Sequence, residues 1–302
     1  MKVKTDLHMH SWYSDGTESP ARLVERAKAL GYETIALTDH DGAEGVEEAV
    51  SAGKAAGIKV ISGIEFSASY QMPDPEGRVP GFRRYRMHIL GYGIDISNTA
   101  LKKALEQINE NRVERNEELR AWFAKKGINI SIEELEAASP SGFVGKLSFA
   151  KVLIERGLYE DVPAAFLNKE YMAAPEVKEM HVEEIDAVRA IELINGAGGI
   201  SFIAHPYQIE YPGYKSDSSG SYKVNQKAVI AALAAEGLNG IEAYYSTHSK
   251  AQAAAAQELA DCLGLLVSRG SDDHGEGIRP VKKMSVFAAE PEEYRLAWTK
   301  NF

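Results

Sequence analysis

The sequence predicts an α/β protein in which a parallel sheet or barrel is interrupted by a helical insertion. Three observations predict it. Short apolar runs alternate with helical patterns over residues 1–96 and again over 185–302, and strand–helix–strand alternation with short connections marks parallel strands. Between them, residues 97–184 read as helix with no strand pattern. Histidines and carboxylates, finally, collect where the predicted strands end.

The first strand, Val3 to Leu7, ends in His8-Met9-His10. Ser19 as N-cap, Pro20 at the first helical position and Gly31 as a stop define a helix over Pro20 to Leu30. Thr34 to Thr38 is a strand leading to Asp39-His40, Ala43 to Ala56 a helix, and Ile58 to Phe66 a strand carrying Glu65. Ser67 to Arg86, rich in Pro, Gly and Arg, predicts a polar excursion before the strand Met87 to Tyr92 with His88. In the insertion, Leu101 to Lys126 is a long charged helix; Ile132 to Ala138, Ser148 to Arg156 and Pro163 to Asn168 are shorter ones. Glu183 to Ala197 is a helix before the strand Ile200 to Ala204, which ends at His205-Pro206. Helices over Asn225 to Glu236 and Ser249 to Leu263 flank the strand Gly240 to Tyr245. The last strand, Leu265 to Ser268, runs into Gly270-Ser271-Asp272-Asp273-His274.

A net charge of −10 over 302 residues leaves no basic footprint for duplex DNA. It permits a small anionic substrate, because bound cations can dominate the local field. The single cysteine, Cys262, excludes an internal disulfide framework and is expected to be a small core residue in a reducing, cytoplasmic setting. No apolar run approaches the roughly 18–20 residues that cross a bilayer, so no membrane partner is expected. Met1-Lys2-Val3-Lys4 carries no leader pattern.

On an extended chain alternate residues point the same way, so His8 and His10 aim both imidazoles at one point past the strand end. Taken alone, such a pair is equally well a pair of half-buried strand histidines. The other strand ends decide against that: His40, Glu65, His88, His205, Asp272 and His274 occupy corresponding positions. In a parallel barrel those ends share one rim, where catalytic loops lie. Imidazole with carboxylate and no thiolate suits Zn²⁺, Mn²⁺ or Fe²⁺. Together with Asp15 these are too many ligands for one ion and enough for two or three divalent ions. Closely spaced ions can hold a hydroxide and clamp an in-line displacement at phosphorus. Phosphoester hydrolysis leads on this chemistry, and amide hydrolysis competes.

Asp6-x-His8-x-His10, Thr38-Asp39-His40, Gly63-Ile64-Glu65, Ala204-His205-Pro206 and Gly270-Ser271-Asp272-Asp273-His274 resemble, in order, the motifs of the PHP family, named for its polymerase and histidinol phosphatase members. The resemblance implies a distorted (β/α)₇ barrel with the metal centre at its C-terminal rim, built from residues 1–96 and 185–302 around a helical insertion, 97–184. By position, it implies one ion held by His8, His10, Glu65 and Asp272. A second would share Glu65 and take His88 and His205, and a third Asp15, His40 and His274. Asp39 would orient a ligand histidine or cap the next helix. Met87-His88-Ile89-Leu90-Gly91-Tyr92 and Gly237-Leu238-x-Gly240-Ile241-Glu242 look most like the stand-alone branch acting on nucleoside 3′,5′-bisphosphates or short RNA. That branch often carries Arg-x-His where this chain has Lys146-Leu147-Ser148. Lys146 meets a phosphate as a point charge, without a guanidinium's fork.

Four further side chains have two readings each. His248 follows a strand and either protonates the leaving group or merely starts a helix. Tyr207, with Tyr211, Tyr214 and Tyr222 in one loop, stacks on a base or packs the loop. Arg269 reaches phosphate or pairs with a surface carboxylate. His181, in the insertion, is structural or exposed. The expected reaction is attack of a metal-bridging hydroxide on a small nucleotide phosphoester, with Asp15, Asp272 and His248 in catalytic roles. A histidinol-phosphate phosphatase, an amidohydrolase and a non-catalytic metal-stabilised module are the alternatives.

Overall fold

A computed structural model describes residues 4–75, 77, 80–180, 184–210, 224–275, 284 and 287–302. His181, Arg78 and the tyrosines at 211, 214 and 222 lie outside the described residues. Eight strands are present among them: β1 (Thr5–Asp6), β2 (Thr34–Leu37), β3 (Lys59–Pro73), β4 (Phe82–Tyr92), β5 (Ile185–Asp186), β6 (Ile200–Ile203), β7 (Gly240–Tyr245) and β8 (Leu266–Gly270). Their pairing order is β1-β2-β3-β4-β6-β7-β8, with β5 on β3 outside this path. The ends of that path nearly meet. Leu7 N donates to Arg269 O at 2.9 Å, Asp272 N to His8 O at 2.8 Å, and Met9 bridges to Asp273 in parallel. The result is the seven-stranded, distorted barrel that the sequence predicts.

The described helices are α1 (Pro20–Ala29), α2 (Val46–Ala56), α3 (Thr99–Lys125), α4 (Ile132–Ala137), α5 (Lys146–Glu155), α6 (Val162–Leu167), α7 (Pro175–Glu179), α8 (Ala187–Gly196), α9 (Val224–Ala235) and α10 (Lys250–Leu263). Ser19 caps α1 through Arg22 N, and Ser249 with Gln252 forms a capping box on α10. Such caps satisfy amides that have no partner inside the helix. Leu23, Val24 and Ala27 of α1 are buried, as are Ala253, Ala256 and Ala260 of α10. Both patterns follow the three- and four-residue spacing of one helix face.

Three expectations change. β4 runs antiparallel to both β3 and β6, while β1, β2 and β3 are mutually parallel, as are β6, β7 and β8. His88 therefore sits within β4 rather than at a strand end, level with Ser67 of β3. The polar excursion is also not a loop for most of its length. β3 and β4 continue as a ladder from Phe66–Ile89 out to Pro73–Phe82. Ala68, Tyr85 and Met87 supply a buried face for it, a period-two pattern masked by the surrounding arginines. Arg84 and Arg86 both pair with Glu184, at 3.0 and 2.8 Å. Cys262 is exposed, because it lies off the buried alanine face of α10.

Residues between 119 and 177 form a core of their own, in which Leu119 and Phe123 of α3 meet Ile130, Leu135, Phe149 and Leu153. Earlier on the same helix, Leu101 and Ile108 join the barrel core. The long helix thus ties one core to the other. Among the described residues no helix is long and apolar enough to cross a membrane.

Candidate metal centre

The barrel rim brings nine side chains together. The donor atoms of eight of them, all but His205, fall into three overlapping sets, each with all atoms within 4.8 Å of one another: His8, His10, Glu65 and Asp272; His10, Asp15, His40 and His274; and His40, Glu65 and His88. Glu65 is the hub. Its Oε2 lies 3.1 Å from Nε2 of both His8 and His10 and 3.3 Å from His40 Nδ1. Its Oε1 lies 3.0 Å from His88 Nδ1 and 3.1 Å from His205 Nε2. The first set matches the grouping implied by the family motifs. In the other two, His10 joins Asp15, His40 and His274, and His40 stands with Glu65 and His88, while His205 reaches the Glu65 oxygen that faces His88.

Burial is graded across the cluster. His8, His10, Glu65 and His274 are fully buried, whereas the side chains of His40, Asp15 and His88 are 18%, 30% and 33% exposed. The deep ligands form a floor and the shallow ones an opening. Three non-glycine residues at this rim have left-handed backbone: Asp41 at φ 52°, His205 at 24° and Asp272 at 56°. Strained conformations of this kind persist where surrounding structure over-determines them and concentrate at functional sites. Gly270 makes a close approach possible, since a Cβ there would overlap His8 Cβ and Glu242 Oε1.

Metal ions fit this cage. Nε2 of His8, His10 and His274, Nδ1 of His40 and Oε2 of Glu65 are buried without a hydrogen-bond partner among the described residues. Native interiors rarely leave such atoms unsatisfied. Burial opposes charge on His8, yet Glu65, Glu242 and Asp272 hold its pKa well above the ordinary imidazole value. Against the same burial, Asp272 and Glu65 raise His10 to about 9. Burial likewise opposes charge on Glu65, but the facing His8, His40 and His88 hold its carboxyl well below the usual range. The carboxylates thus draw positive charge into the cluster, and a cation entering it displaces protons. Histidine and carboxylate without thiolate is the donor chemistry of Zn²⁺, Mn²⁺ and Fe²⁺.

A second layer holds these side chains. Glu242, fully buried, accepts from His8 Nδ1 at 2.9 Å and from the His205 backbone N–H at 2.7 Å. His274 Nδ1 donates to Asp272 O at 2.7 Å, which leaves its Nε2 for a metal. The Tyr245 hydroxyl donates to Asp272 Oδ2 at 2.7 Å. Asp39 neither meets a ligand histidine directly nor caps a helix. It accepts from Ser11 N, Ser11 Oγ and Ser14 Oγ, each at 2.6 Å, and Ser14 Oγ is 3.5 Å from His10 Nδ1. Arg26 of α1 grips Asp273 at 2.5 and 3.1 Å and thereby anchors the turn between Asp272 and His274. Sequence reasoning assigned no role to Glu242, Tyr245, Ser14 or Arg26. Glu242 alone had a signal, a carboxylate inside an otherwise apolar strand.

The PHP domain profile matches residues 6–167. A 3′,5′-nucleoside bisphosphate phosphatase of Chromobacterium violaceum is 31% identical over 91% of this chain and 90% of its own length. The chain belongs to the PHP family. A 5′-3′ exoribonuclease of Haemophilus influenzae is 34% identical over 70% of this chain and 72% of its own. Among solved structures, one assigned as a metal-dependent phosphoesterase, from Bifidobacterium adolescentis, superposes with a TM-score of 0.78 at 26% identity, covering 97% of this chain and 95% of that one.

Beside the PHP cluster lies a cavity of about 440 Å³ lined by His88, His205, Lys146, Arg86, Gln208 and Glu184, among others. Lys146, at the start of α5, lines this cavity with two histidines of the cluster. The other substrate candidates fare differently. Arg269 takes the second of its two readings: it pairs with Glu290 at 2.9 Å, lies over the Phe287 ring and lines a separate pocket with Thr5, Leu296 and Lys300. Tyr207 packs, donating to Gln252 O at 3.0 Å and meeting His248 edge to face. His248 Nδ1 donates to Ala243 O at 3.0 Å, and burial pushes the ring's pKa down to about 4. A neutral imidazole is an acceptor at its remaining nitrogen, so the proton-donor reading loses its chemical basis.

Proposed function

We propose that this PHP-family phosphoesterase hydrolyses a small nucleotide phosphoester, a nucleoside 3′,5′-bisphosphate or the end of a short oligoribonucleotide. The observation that carries the reading is the cavity, which joins cluster histidines to two cationic side chains. His88 and His205 line it together with Lys146 and with Arg86, whose guanidinium also pairs with Glu184. A substrate with one phosphate at the cluster and a second anionic group in this cavity suits that placement of charge. The two curated relatives act on such substrates by their names.

Our assignment of ligands is His8, His10, Glu65 and Asp272 for one divalent ion, Glu65 with His88 and His205 for a second, and Asp15, His40 and His274 for a third. Mn²⁺, Zn²⁺ and Fe²⁺ all suit these donors. When bound, such ions supply Lewis acidity toward phosphoryl oxygens and a water acidified to near neutral pH. The protein's own part is to hold the ligands rigid, to keep His8 and His274 in the tautomer that presents Nε2, and to orient the ester through Lys146 and Arg86. Asp15 and Asp272 act in catalysis as ligands. Residues 97–184 are read as an insertion in the barrel that contributes Lys146 and selects the group esterified to phosphate.

The test offers adenosine 3′,5′-bisphosphate, a short RNA and histidinol phosphate side by side with Mn²⁺ present. Phosphate from the bisphosphate, or mononucleotides from the RNA, supports the proposal. Turnover of histidinol phosphate alone moves the enzyme to an amino-acid biosynthetic role. No turnover of any of them, with metal bound, refutes the reading and favours amide hydrolysis or a binding module.

A further inference from the structure

Asp272 uses its two oxygens differently. Oδ1 faces the cluster, 3.1 Å from His10 Nε2 and 3.6 Å from His8 Nε2. Oδ2 accepts the Tyr245 hydroxyl at 2.7 Å. A phenol has one proton to give, and here the carboxylate takes it. Tyr245 Oη is then an acceptor, and the group that meets it is Gln208 Nε2 at 3.2 Å. Tyr245 is buried to within 1% and wedged among histidines, its ring 5.4 Å from that of His205 and 5.2 Å from that of His248. Gln208 is exposed and lines the cavity beside His88, His205 and Lys146.

We propose that Tyr245 is a positioning residue that holds Asp272 as a one-oxygen ligand, and that Gln208 extends this hold to the substrate cavity. The chain Gln208–Tyr245–Asp272 crosses from the surface a substrate touches to the ion-facing oxygen. Each link fixes the next: the amide orients the phenol, and the phenol prevents the carboxylate from rotating. The Asp272 backbone itself sits in a left-handed conformation, of the kind that persists where surrounding contacts over-determine it. The inference rests on the metal-centre reading above for Asp272, and not on the identity of the substrate.

The experiment is a double-mutant cycle on Mn²⁺ affinity, measured by calorimetric titration of the metal-stripped full chain. Tyr245→Phe keeps the ring and its packing while removing the hydroxyl. It is expected to weaken Mn²⁺ binding tenfold or more, in the range typical of groups that orient a ligand from outside. The visible spectrum of the Co²⁺-loaded protein should change as well, because Asp272 becomes free to bind through both oxygens. Gln208→Leu is expected to weaken Mn²⁺ binding about two- to fivefold and to raise KM. In the double variant the two effects should not multiply, since residues in one network couple. Wild-type Mn²⁺ affinity and an unchanged Co²⁺ spectrum in Tyr245→Phe overturn the proposal, and multiplied effects in the double variant overturn the part assigned to Gln208. A wild-type chain that binds Mn²⁺ but hydrolyses none of the phosphoesters refutes the proposed reaction while supporting the Tyr245 inference if the cycle behaves as stated.

Discussion

Replacing Glu242 by Gln tests the second layer of the centre with almost no change of volume. The carboxylate accepts two hydrogen bonds, one from His8 Nδ1 at 2.9 Å and one from His205 N at 2.7 Å. An amide has one acceptor oxygen, so one of these donors must face its NH₂. If the oxygen stays with the His205 backbone, the His8 ring must move its proton to Nε2, the atom that faces Glu65 at 3.1 Å and would bind the ion. If the oxygen turns to His8, a buried backbone N–H beside a strained residue is left unsatisfied. Leaving a buried donor unpaired costs about 1–3 kcal/mol. Loss of an outer partner of a ligand histidine usually costs ten- to a hundredfold in metal affinity, or about 1.4–2.8 kcal/mol. The two routes agree in scale, and both predict weaker binding. Mn²⁺ titration of the metal-stripped Glu242→Gln variant should give a dissociation constant ten- to a hundredfold above wild type. A constant within twofold of wild type would show that Glu242 does not set the His8 tautomer.

Three other outcomes follow from the same geometry. Gly270→Ala forces a Cβ into His8 and Glu242; it should cost about 1–3 kcal/mol and abolish tight Mn²⁺ binding, measured by denaturant unfolding and titration, and a fully active variant would contradict the close approach. Stripping the ions with a chelator should stop hydrolysis reversibly and lower the melting temperature, since a ligand at a hundred times its dissociation constant stabilises by about 2.7 kcal/mol; retained activity in metal-free protein would refute the centre. His248 gives a pH prediction. Its folded pKa, about 4, lies below the ordinary value near 6.5, so the unfolded chain binds its proton first as pH falls. Its contribution to stability is therefore intact above pH about 6.5 and is lost progressively down to about 4. His248→Asn should lose less stability than wild type between pH 7 and 4.5 in parallel unfolding experiments, and equal losses would mean that the ring is not held neutral.

How much of this was legible in the sequence depended on whether a residue's role lies in its own segment. Ser19, Pro20 and Ser249 announce their helices because a cap acts within one turn. His8, His10, Asp39-His40 and Asp272-x-His274 stand out because parallel strands deliver their ends to one rim, so position along the strand encodes position in the site. His88 reaches the rim by another route. β4 runs the opposite way and crosses the rim midway, level with Ser67, and a short apolar strand carries no mark of its direction. The β3–β4 extension was masked because its ladder needs only alternation on one face, and arginines on the other read as a loop. Arg269 shows the limit from the other side. Adjacent to the Gly270-Ser271-Asp272 motif in sequence, it points across the strand to Glu290, because neighbouring strand residues face opposite ways. Sequence adjacency to a ligand is thus a poor guide to the site, whereas a gap of two along a strand is a good one.

Three of the residues that sequence reasoning missed meet their partners on other elements of the barrel. Glu242 holds His8, Tyr245 holds Asp272, and Arg26 holds Asp273. These hydrogen bonds join separate elements, so only Glu242, a carboxylate in an otherwise apolar strand, left a local trace. Closure also explains why the ligands tolerate strain. Asp272 N donates to His8 O and Ser271 N to Asp6 Oδ1, so the seam between the first and last strands is stitched at the ligands themselves. The centre and the closure of the barrel are therefore one structure. A substitution that opens the seam, such as Asp6→Ala, should lower metal affinity as well as stability, although Asp6 belongs to none of the three donor sets. Separate loss of stability alone, with Mn²⁺ binding intact in the folded fraction, would mean that the seam and the centre are independent after all.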